Sequence, residues 1–320
     1  MALDCFVASK YAMDINESVN YLTEAKIYCS KKKGCNMLDK TVLKVRDEKA
    51  HKGDFGKVLV VAGSVGMAGA AMMCGKAAVK SGAGLVKFAV PEELFHILQI
   101  GVPEATCLIR DFDNVINIHD FEAITLGSGI GVNKANISVI KTILNEYTGK
   151  LILDADGLNC VMKYSLYGNL KQSKADVVLT PHLGEAARLL EVEKIGDDER
   201  MNAAKEIQGA FNKTVVMKGA NTYVVDDSQI YVNDTGNPGM ATGGSGDVLA
   251  GIIAALAAQG YSAYEAAKIG VYVHGLAGDI CAEEIGQIGM TAMDICEKFP
   301  AAFILLQETE PAYIESYFLF

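Results

Sequence analysis

Short apolar runs recur along the chain, and each ends in glycine or in a brief polar turn. The run KVLVVAG, from Lys57, and the run LVKFAV, from Leu85, are rich in β-branched residues and predict buried strands. The stretch Thr222–Val232 has apolar arms around a polar centre and predicts a hairpin. Further strands that end in a turn are predicted within residues 123–131, 150–159, 175–190 and 213–219.

Helical patterns separate these strands. The small-residue stretch from Ala68 predicts a helix that Gly82 and Gly84 stop, and Pro91 with two glutamates opens another. Two long helices are expected around Gly246–Gln259 and Ala263–Ile285. Strands that alternate with helices predict an α/β fold, with a central, mostly parallel sheet flanked by helices on both faces.

The regular pattern does not reach the amino-terminal part of the chain. We predict that residues 1–36 form an extension of unknown role, dispensable for activity, and that residues 37–320 form a single domain. The charged stretch 191–200 is expected to be a surface loop that leads into a helix.

Composition narrows the possible functions. The formal net charge of -10 argues against a general nucleic-acid or membrane-surface binder. The eight cysteines form no C-x-x-C pair, which favours reduced thiols, mostly in the core, over a disulfide framework or a zinc site. We see no membrane-spanning run and no basic-then-apolar leader, so a cytoplasmic protein is expected.

The stretch GGSGD, Gly243–Asp247, joins a small-residue loop to an apolar helix. Small residues allow the backbone to approach a ligand closely, and a helix start presents free N–H groups that bind anions. Asp247 could accept a proton from a substrate hydroxyl, or it could only cap the helix.

Two further glycine loops follow strands, at Gly63–Ala71 and at Gly127–Gly131. The first matches neither the dinucleotide-binding fingerprint nor the P-loop pattern. Tight packing of strand on helix would explain either loop equally well.

Polar residues also follow the later strands. His182 could hydrogen-bond a substrate or be structural, and Glu185 could position a hydrated Mg²⁺ or favour a helix start. Lys218 could meet a phosphate or be solvated. The stretch DADGLN offers Asp154, Asp156 and Asn159, and a capping role would account for Asp156.

Taken together and in order, six motifs resemble the ADP/ATP-dependent NAD(P)H-hydrate dehydratases. The resemblance covers His51 to Ile304 and is carried by HKGDFGKVLVVAGS, GMAGAA, LDADGLN, LTPHLGEAARLL, VVMKGANTYV and NPGMATGGSGDVLAGIIAALAAQG. It implies a ribokinase-like fold. The epimerase domain that is often fused before this domain is not expected in the short stretch ahead of the match.

The resemblance implies repair of hydrated NADH and NADPH. The S epimer would be phosphorylated on its hydroxyl by ADP or ATP, with Mg²⁺, and would then lose phosphate. Asp247 would deprotonate the hydroxyl, and the hydrated dinucleotide would meet Ala70, Gly129, His182 and Asp247. The nucleotide and its transferring phosphoryl group would meet Lys218, Gly219, Ala220, Asn221, Thr222, Gly244, Ser245 and Gly246.

Alternatives stay open at this stage. A ribokinase-like kinase of the hydroxymethylpyrimidine or hydroxyethylthiazole type would share the GSGD motif but keep the phosphate on its product. A non-catalytic nucleotide-binding sensor would bind without turnover. The resemblance also suggests a homo-oligomer, up to a tetramer, with no nucleic-acid or membrane partner. The lone-domain layout favours ADP over ATP.

Overall fold

The computed structural model describes residue 38 and residues 43–113 and 115–307. The predicted extension, residues 1–36, lies outside these ranges. Leu38 is only 6% exposed and packs in the main hydrophobic core, so the folded domain includes this position.

A nine-stranded sheet forms the centre of the molecule, in the order β3-β2-β1-β4-β5-β6-β7-β8-β9. Strands β1 to β7 are parallel, and β8 and β9 form an antiparallel hairpin at one edge. The strands are β1 Lys57–Val61, β2 Leu85–Val90, β3 Thr106–Ile109, β4 Ala123–Leu126, β5 Lys150–Leu153, β6 Asp176–Leu179, β7 Thr214–Met217, β8 Tyr223–Val225 and β9 Ile230–Val232.

Helices cover both faces of the sheet. They are α1 Ala68–Lys80, α2 Phe95–Gly101, α3 Asn136–Glu146, α4 Ala155–Lys163, α5 Tyr167–Gln172, α6 Leu183–Leu189, α7 Arg200–Phe211, α8 Ser245–Ala258, α9 Ala263–Ile285, α10 Ala292–Glu297 and α11 Phe299–Gln307. Short 3-10 turns occupy Lys52–Phe55, Glu92–Leu94, Ile118–Asp120, Asp197–Glu199 and Pro238–Met240. No helix among the described residues is long and apolar enough to cross a bilayer.

Alternate residues of each strand enter opposite cores. Val58 and Val60 of β1 pack with the helices α1, α8 and α9, whereas Leu59 and Val61 pack with α3 to α7. Because both faces of a parallel strand are covered, its sequence is continuously apolar rather than alternating. This arrangement is the predicted α/β sandwich.

The direction in which successive strands are added to the sheet reverses between β1 and β4. The chain builds β1, β2 and β3 outward on one side and then places β4 on the other side of β1. The loops that follow β1 and β4 therefore lie side by side at the carboxyl edge of the sheet. Ligands of open α/β sheets bind at such a switch point.

Most predicted elements are confirmed, including the hairpin, the two long helices and the loop before α7. Strand β3 and the helices α3, α5, α10 and α11 carried no prediction. Strand β3 is a four-residue edge strand with both ends exposed, so its sequence lacks a buried run. In α3 the apolar residues Ile137, Val139 and Ile140 are β-branched and weaken the helical signal.

The cysteine prediction is confirmed for the five cysteines that are described, all of which are free thiols. Four of them are buried, and Cys107 is half-buried. Cys5, Cys29 and Cys35 lie outside the described residues.

Helices α1 and α8 approach closely because one position has no side chain. A Cβ added at Gly251 in α8 would lie 2.2 Å from the carbonyl oxygen of Cys74 in α1. We expect Gly251→Ala to lower the free energy of unfolding by about 1–3 kcal/mol, since the backbones must move apart. Urea unfolding of the purified variant measures this change.

Gly209 in α7 provides the matched control. It is exposed and has open space around its missing Cβ, so Gly209→Ala should raise the free energy of unfolding by about 0.5–1 kcal/mol. Equal effects of the two substitutions would contradict the close helix contact.

Candidate active site

Helix α8 begins in a glycine turn at the carboxyl edge of the sheet. Gly244 holds the N-cap position with φ 90°, and no side chain there accepts a cap hydrogen bond. A Cβ at Gly244 would lie 2.1 Å from Met73 Sδ, so this turn is packed on α1 and accepts only glycine without rearrangement. No capping side chain therefore uses the first amides of α8, although the Ser245 amide donates to Thr242 O at 3.3 Å. A helix start without a capping side chain is a favourable position for an anion.

Asp247 is the third residue of α8 and does not hold the cap position. The interpretation of Asp247 as only a helix cap is therefore not supported by the geometry. Burial, together with the charge of Asp154, raises the pKa of Asp247 to about 6, and Ser128 and Lys218 act in the opposite direction. A carboxylate with a pKa in this range can take up a proton near neutral pH.

The Ser128 hydroxyl lies close enough to affect the pKa of Asp247. Its Oγ is buried and has no hydrogen-bond partner within 3.5 Å among the described residues. The hydroxyl can therefore still donate to Asp247 or to a ligand, after a small shift.

A buried ion cluster lies beside the start of α8. Lys218 Nζ is 2.7 Å from Asp154 Oδ1 and 3.7 Å from Glu185 Oε2. Thr180 Oγ1 donates to the same Asp154 oxygen at 2.7 Å. Burial lowers the pKa of Lys218, but the two carboxylates outweigh it and the pKa lies above its usual value.

This cluster answers the question that the sequence left open for Lys218. Its side chain is only 18% exposed, so it is not a solvated surface lysine. A Cβ built at Gly246 would lie 3.4 Å from Lys218 Nζ and 3.9 Å from Asp154 Oδ2. The ammonium group therefore faces the first turn of α8, where an anion would bind.

In the acidic turn after β5, the predicted capping role of Asp156 is wrong. Asp156 does not cap a helix: its Oδ2 accepts a hydrogen bond at 2.9 Å from the amide of Gly131 and so holds the loop after β4. The buried residue is Asp154, which is 1% exposed. Ala155, next along the chain, has φ 47°, a strained value for a residue with a Cβ. Asn159 accepts a hydrogen bond from Arg188 outside the cluster.

His182 and Glu185 form a capping box at the start of α6. His182 Nδ1 accepts from the amides of Gly184 and Glu185, and Glu185 Oε2 accepts from the amide of His182 at 2.9 Å. The His182 ring is 54% exposed at the rim, whereas Glu185 is buried against Lys218. His182 can reach a ligand from there, while both oxygens of Glu185 already have protein partners.

The two remaining glycine loops are joined at the switch point. The Gly63 amide donates to Ser128 O at 2.8 Å, and Ser64 Oγ donates to Gly129 O at 2.9 Å. A Cβ at Gly129 would lie 2.8 Å from Ala70 Cβ, so these two predicted residues are neighbours. The loops form one wall of the site, next to Ser128 and Asp247.

A cavity of about 440 Å³ lies on the other side of the α8 start. Of the eight predicted nucleotide-binding residues, Gly244 alone does not line it. The residues 233–241 form the outer wall, and hydrogen bonds to α9 hold it: Gly236 N donates to Asp279 Oδ2 at 2.9 Å, and Asn237 Nδ2 to Gly278 O at 2.9 Å.

His274 of α9 also lines this cavity and carried no prediction. Its Nε2 lies 3.4 Å from Ser245 Oγ, and burial lowers its pKa to about 4. A histidine inside a long apolar helix gives no sequence signal of such a contact. A cleft of about 560 Å³ opens elsewhere beside Lys213 and Glu265, away from the chemistry-bearing residues.

The sequence profile of the NAD(P)H-hydrate dehydratases matches residues 58–301. The chain belongs to this family. An ADP-dependent (S)-NAD(P)H-hydrate dehydratase of Neisseria meningitidis is 40% identical over 267 residues, which are 82% of this chain and 88% of that protein. A bifunctional NAD(P)H-hydrate repair enzyme of Thermofilum pendens is 36% identical over 294 residues.

The alignment covers a different fraction of the length of these two relatives. The alignment covers 87% of this chain but 56% of the Thermofilum protein, so the chain spans about half the length of the bifunctional relatives. The alignment covers 88% of the dehydratase from Neisseria.

Solved structures agree with the family. The Bacillus subtilis ADP/ATP-dependent NAD(P)H-hydrate dehydratase, co-crystallized with ATP/Mg²⁺, has a TM-score of 0.74 and 26% identity, covering 85% of this chain and 99% of that one. A ribokinase-like superfamily protein of Enterococcus faecalis has a TM-score of 0.74 and 27% identity, covering 86% and 98%. The ribokinase-like fold of this dehydratase family member is thereby established.

The buried charge of Asp247 lowers the stability of the fold. The folded-state pKa, about 6, is above the usual value of 3.8, so the folded protein binds a proton more tightly and loses stability as pH rises through this interval. Asp247→Asn should remove the penalty and raise the free energy of unfolding at pH 8 by about 1–2 kcal/mol. Melting temperatures at pH 5 and pH 8 measure it.

The gain from Asp247→Asn should be smaller at pH 5, where the wild-type carboxylate is mostly protonated in the folded state. Asp227→Asn is the matched control, because Asp227 is exposed in the turn of the β8–β9 hairpin. A gain that does not depend on pH would contradict a buried, desolvated Asp247.

Proposed function

We propose that this protein dehydrates the S epimer of hydrated NADH and NADPH, using ADP or ATP, and releases AMP or ADP and phosphate. The observation that carries the proposal is the position of Asp247. Its carboxylate lies in the first turn of α8, one residue after Gly246, which lines the cavity, and near Ser128, which precedes Gly129 in the opposite wall. Two substrates could therefore meet at one carboxylate.

The chemistry follows from the leaving group. Hydroxide leaves poorly, whereas phosphate leaves well, so transfer of a phosphoryl group to the hydroxyl prepares the elimination. Asp247 takes the hydroxyl proton, and its raised pKa makes it a better base than an ordinary aspartate. The amides of Gly244, Ser245 and Gly246 hold the transferring phosphoryl oxygens in this mechanism.

Lys218 adds the positive charge that the glycine turn lacks. Its ammonium faces Gly246 and is fixed by Asp154, so it needs no rearrangement when phosphate arrives. Gly219, Ala220, Asn221 and Thr222 continue from it along the proposed nucleotide cavity. His182, at the rim, and Ala70 and Gly129, in the opposite wall, are the proposed contacts of the hydrated dinucleotide.

Mg²⁺ fits this site chiefly as a companion of the nucleotide. No group of three or more His, Cys, Asp and Glu side chains in the described ranges could hold a metal ion. Glu185 is the proposed contact through water, since its own oxygens already meet His182 and Lys218. When bound, Mg²⁺ neutralises phosphate charge. A cytoplasmic location, a homo-oligomeric state and a preference for ADP stay predictions.

An assay with hydrated NADH or NADPH tests the proposal. Purified protein with Mg²⁺ and either ADP or ATP should restore the absorbance of the reduced nicotinamide and release free phosphate. A phosphoester that persists on the product would instead indicate a kinase. A protein that binds nucleotide and leaves the hydrate unchanged with both nucleotides would refute the function.

Asp247→Asn should lower turnover by about 10²–10⁴-fold, because an amide cannot accept the hydroxyl proton. Nucleotide affinity should stay within a few-fold, since the glycine turn and Lys218 are unchanged.

The pH dependence of the wild-type protein gives an independent test: kcat/KM should fall as pH drops through about 6, where Asp247 becomes protonated. Steady-state rates measured across pH check the first and third expectations, and calorimetric titration of nucleotide checks the second. Near-normal turnover would remove Asp247 from the base role.

Gly246→Ala tests the anion site without breaking the fold. The new methyl would meet Lys218 Nζ at 3.4 Å, an ordinary contact, and the φ of Gly246 is not positive. We expect a normal melting temperature but a loss of turnover of about 10²-fold, because the methyl occupies the space of the phosphoryl group.

Gly251→Ala, a substitution in the same helix but away from the site, is the comparison for Gly246→Ala. It should lower stability while leaving the rate of the folded protein nearly normal. Unchanged turnover in Gly246→Ala would place phosphoryl transfer elsewhere.

A further inference from the structure

Arg110 is a partly buried cation without a carboxylate partner in the described part of the chain. It follows the edge strand β3, and burial alone lowers its pKa to about 10. Removing a charge from water is costly unless other groups replace the lost hydration. The partners of this guanidinium should therefore explain why it is withdrawn from solvent.

Three backbone carbonyls supply that replacement. Arg110 Nε donates to Ala89 O at 3.0 Å, near the end of β2, and Nη2 donates to Ala62 O and Gly63 O, just after β1. One planar group thus joins the carboxyl ends of two neighbouring strands. A lysine could not reproduce this fork, because its ammonium is a single point charge on a flexible stem.

The segment that Arg110 holds is one wall of the active site. Gly63 has φ 67°, and its amide donates to Ser128 O at 2.8 Å, while Ser64 bonds Gly129. Arg110 therefore fixes the carbonyl side of Gly63, and the loop after β4 fixes the amide side. No hydrogen bond links Arg110 to the nucleotide cavity, which lies beyond α8.

We propose that Arg110 is a positioning residue that clamps the β1–α1 loop against the β4–α3 loop and so shapes the half of the site that receives the hydrated dinucleotide. The expected effect of Arg110 on catalysis rests on the proposed function. The clamp itself is a property of the fold and can be measured without substrate.

The variants Arg110→Ala and Arg110→Lys test this role, with Arg46→Ala as the matched control. Arg46 also donates to a backbone carbonyl, Gly82 O at 3.1 Å, but this contact is exposed. Gly82 precedes β2, so the contact does not lie at the carboxyl edge of the sheet. Three measurements are made on each full-length protein: amide hydrogen exchange, KM and kcat with the hydrate, and nucleotide affinity.

Arg110→Ala should speed exchange of the Gly63 amide and raise KM for the hydrate, each by about tenfold or more, since a misplacement of about 1 Å has large effects on productive binding. Nucleotide affinity should stay within about twofold. Arg110→Lys should give an intermediate KM, and Arg46→Ala should behave as wild type.

Two results would overturn the proposal. One is wild-type exchange at Gly63 and wild-type KM in Arg110→Ala. The other is an equal loss of hydrate and nucleotide binding together with a lowered melting temperature, which would indicate a general structural role. If wild-type protein does not act on the hydrate at all, the proposed function fails, while exchange at Gly63 still decides whether the clamp exists.

Discussion

The ammonium group of Lys218 holds together an otherwise repulsive centre. Asp154 and Glu185 contact it, and Asp247 lies close enough for each charge to shift the pKa of the other. Loss of the Lys218 ammonium would leave these buried carboxylates without a compensating charge and would be strongly destabilising. The residues come from the ends of β5, β6 and β7 and from α8, so the cluster also fixes how these ends meet.

The excess of carboxylates gives Asp247 its chemical character. Burial raises its pKa, and Asp154 adds to the shift because like charges at short range cannot both ionise freely. Lys218 limits the shift and keeps the proton exchangeable near neutral pH. Asp247, Asp154 and Lys218 together thus account for a base of moderate strength and for an anion site beside it.

The sequence predicted the elements well because the strands of a covered parallel sheet are continuous apolar runs. It also placed the polar residues at strand ends, which the parallel strands bring to one edge of the sheet. The partners of these residues could not be predicted: Asp154 and Lys218 are 64 positions apart and meet only because β5, β6 and β7 are adjacent in space. Asp156 was misread for the same reason, since its partner, the Gly131 amide, belongs to another loop. Arg110 and His274 follow no recognisable motif.

The hydrogen bonds between residues 233–241 and α9 have a thermodynamic consequence. The Asn237 side chain makes three of these contacts: it donates to Gly278 O and to Asp279 Oδ1, and it accepts from the amide of Gly239. This segment is therefore ordered when the chain folds. A ligand that enters the adjoining cavity does not have to immobilise it. The conformational entropy of this wall is already lost before the encounter, so a larger part of the contact free energy remains to orient the reacting groups.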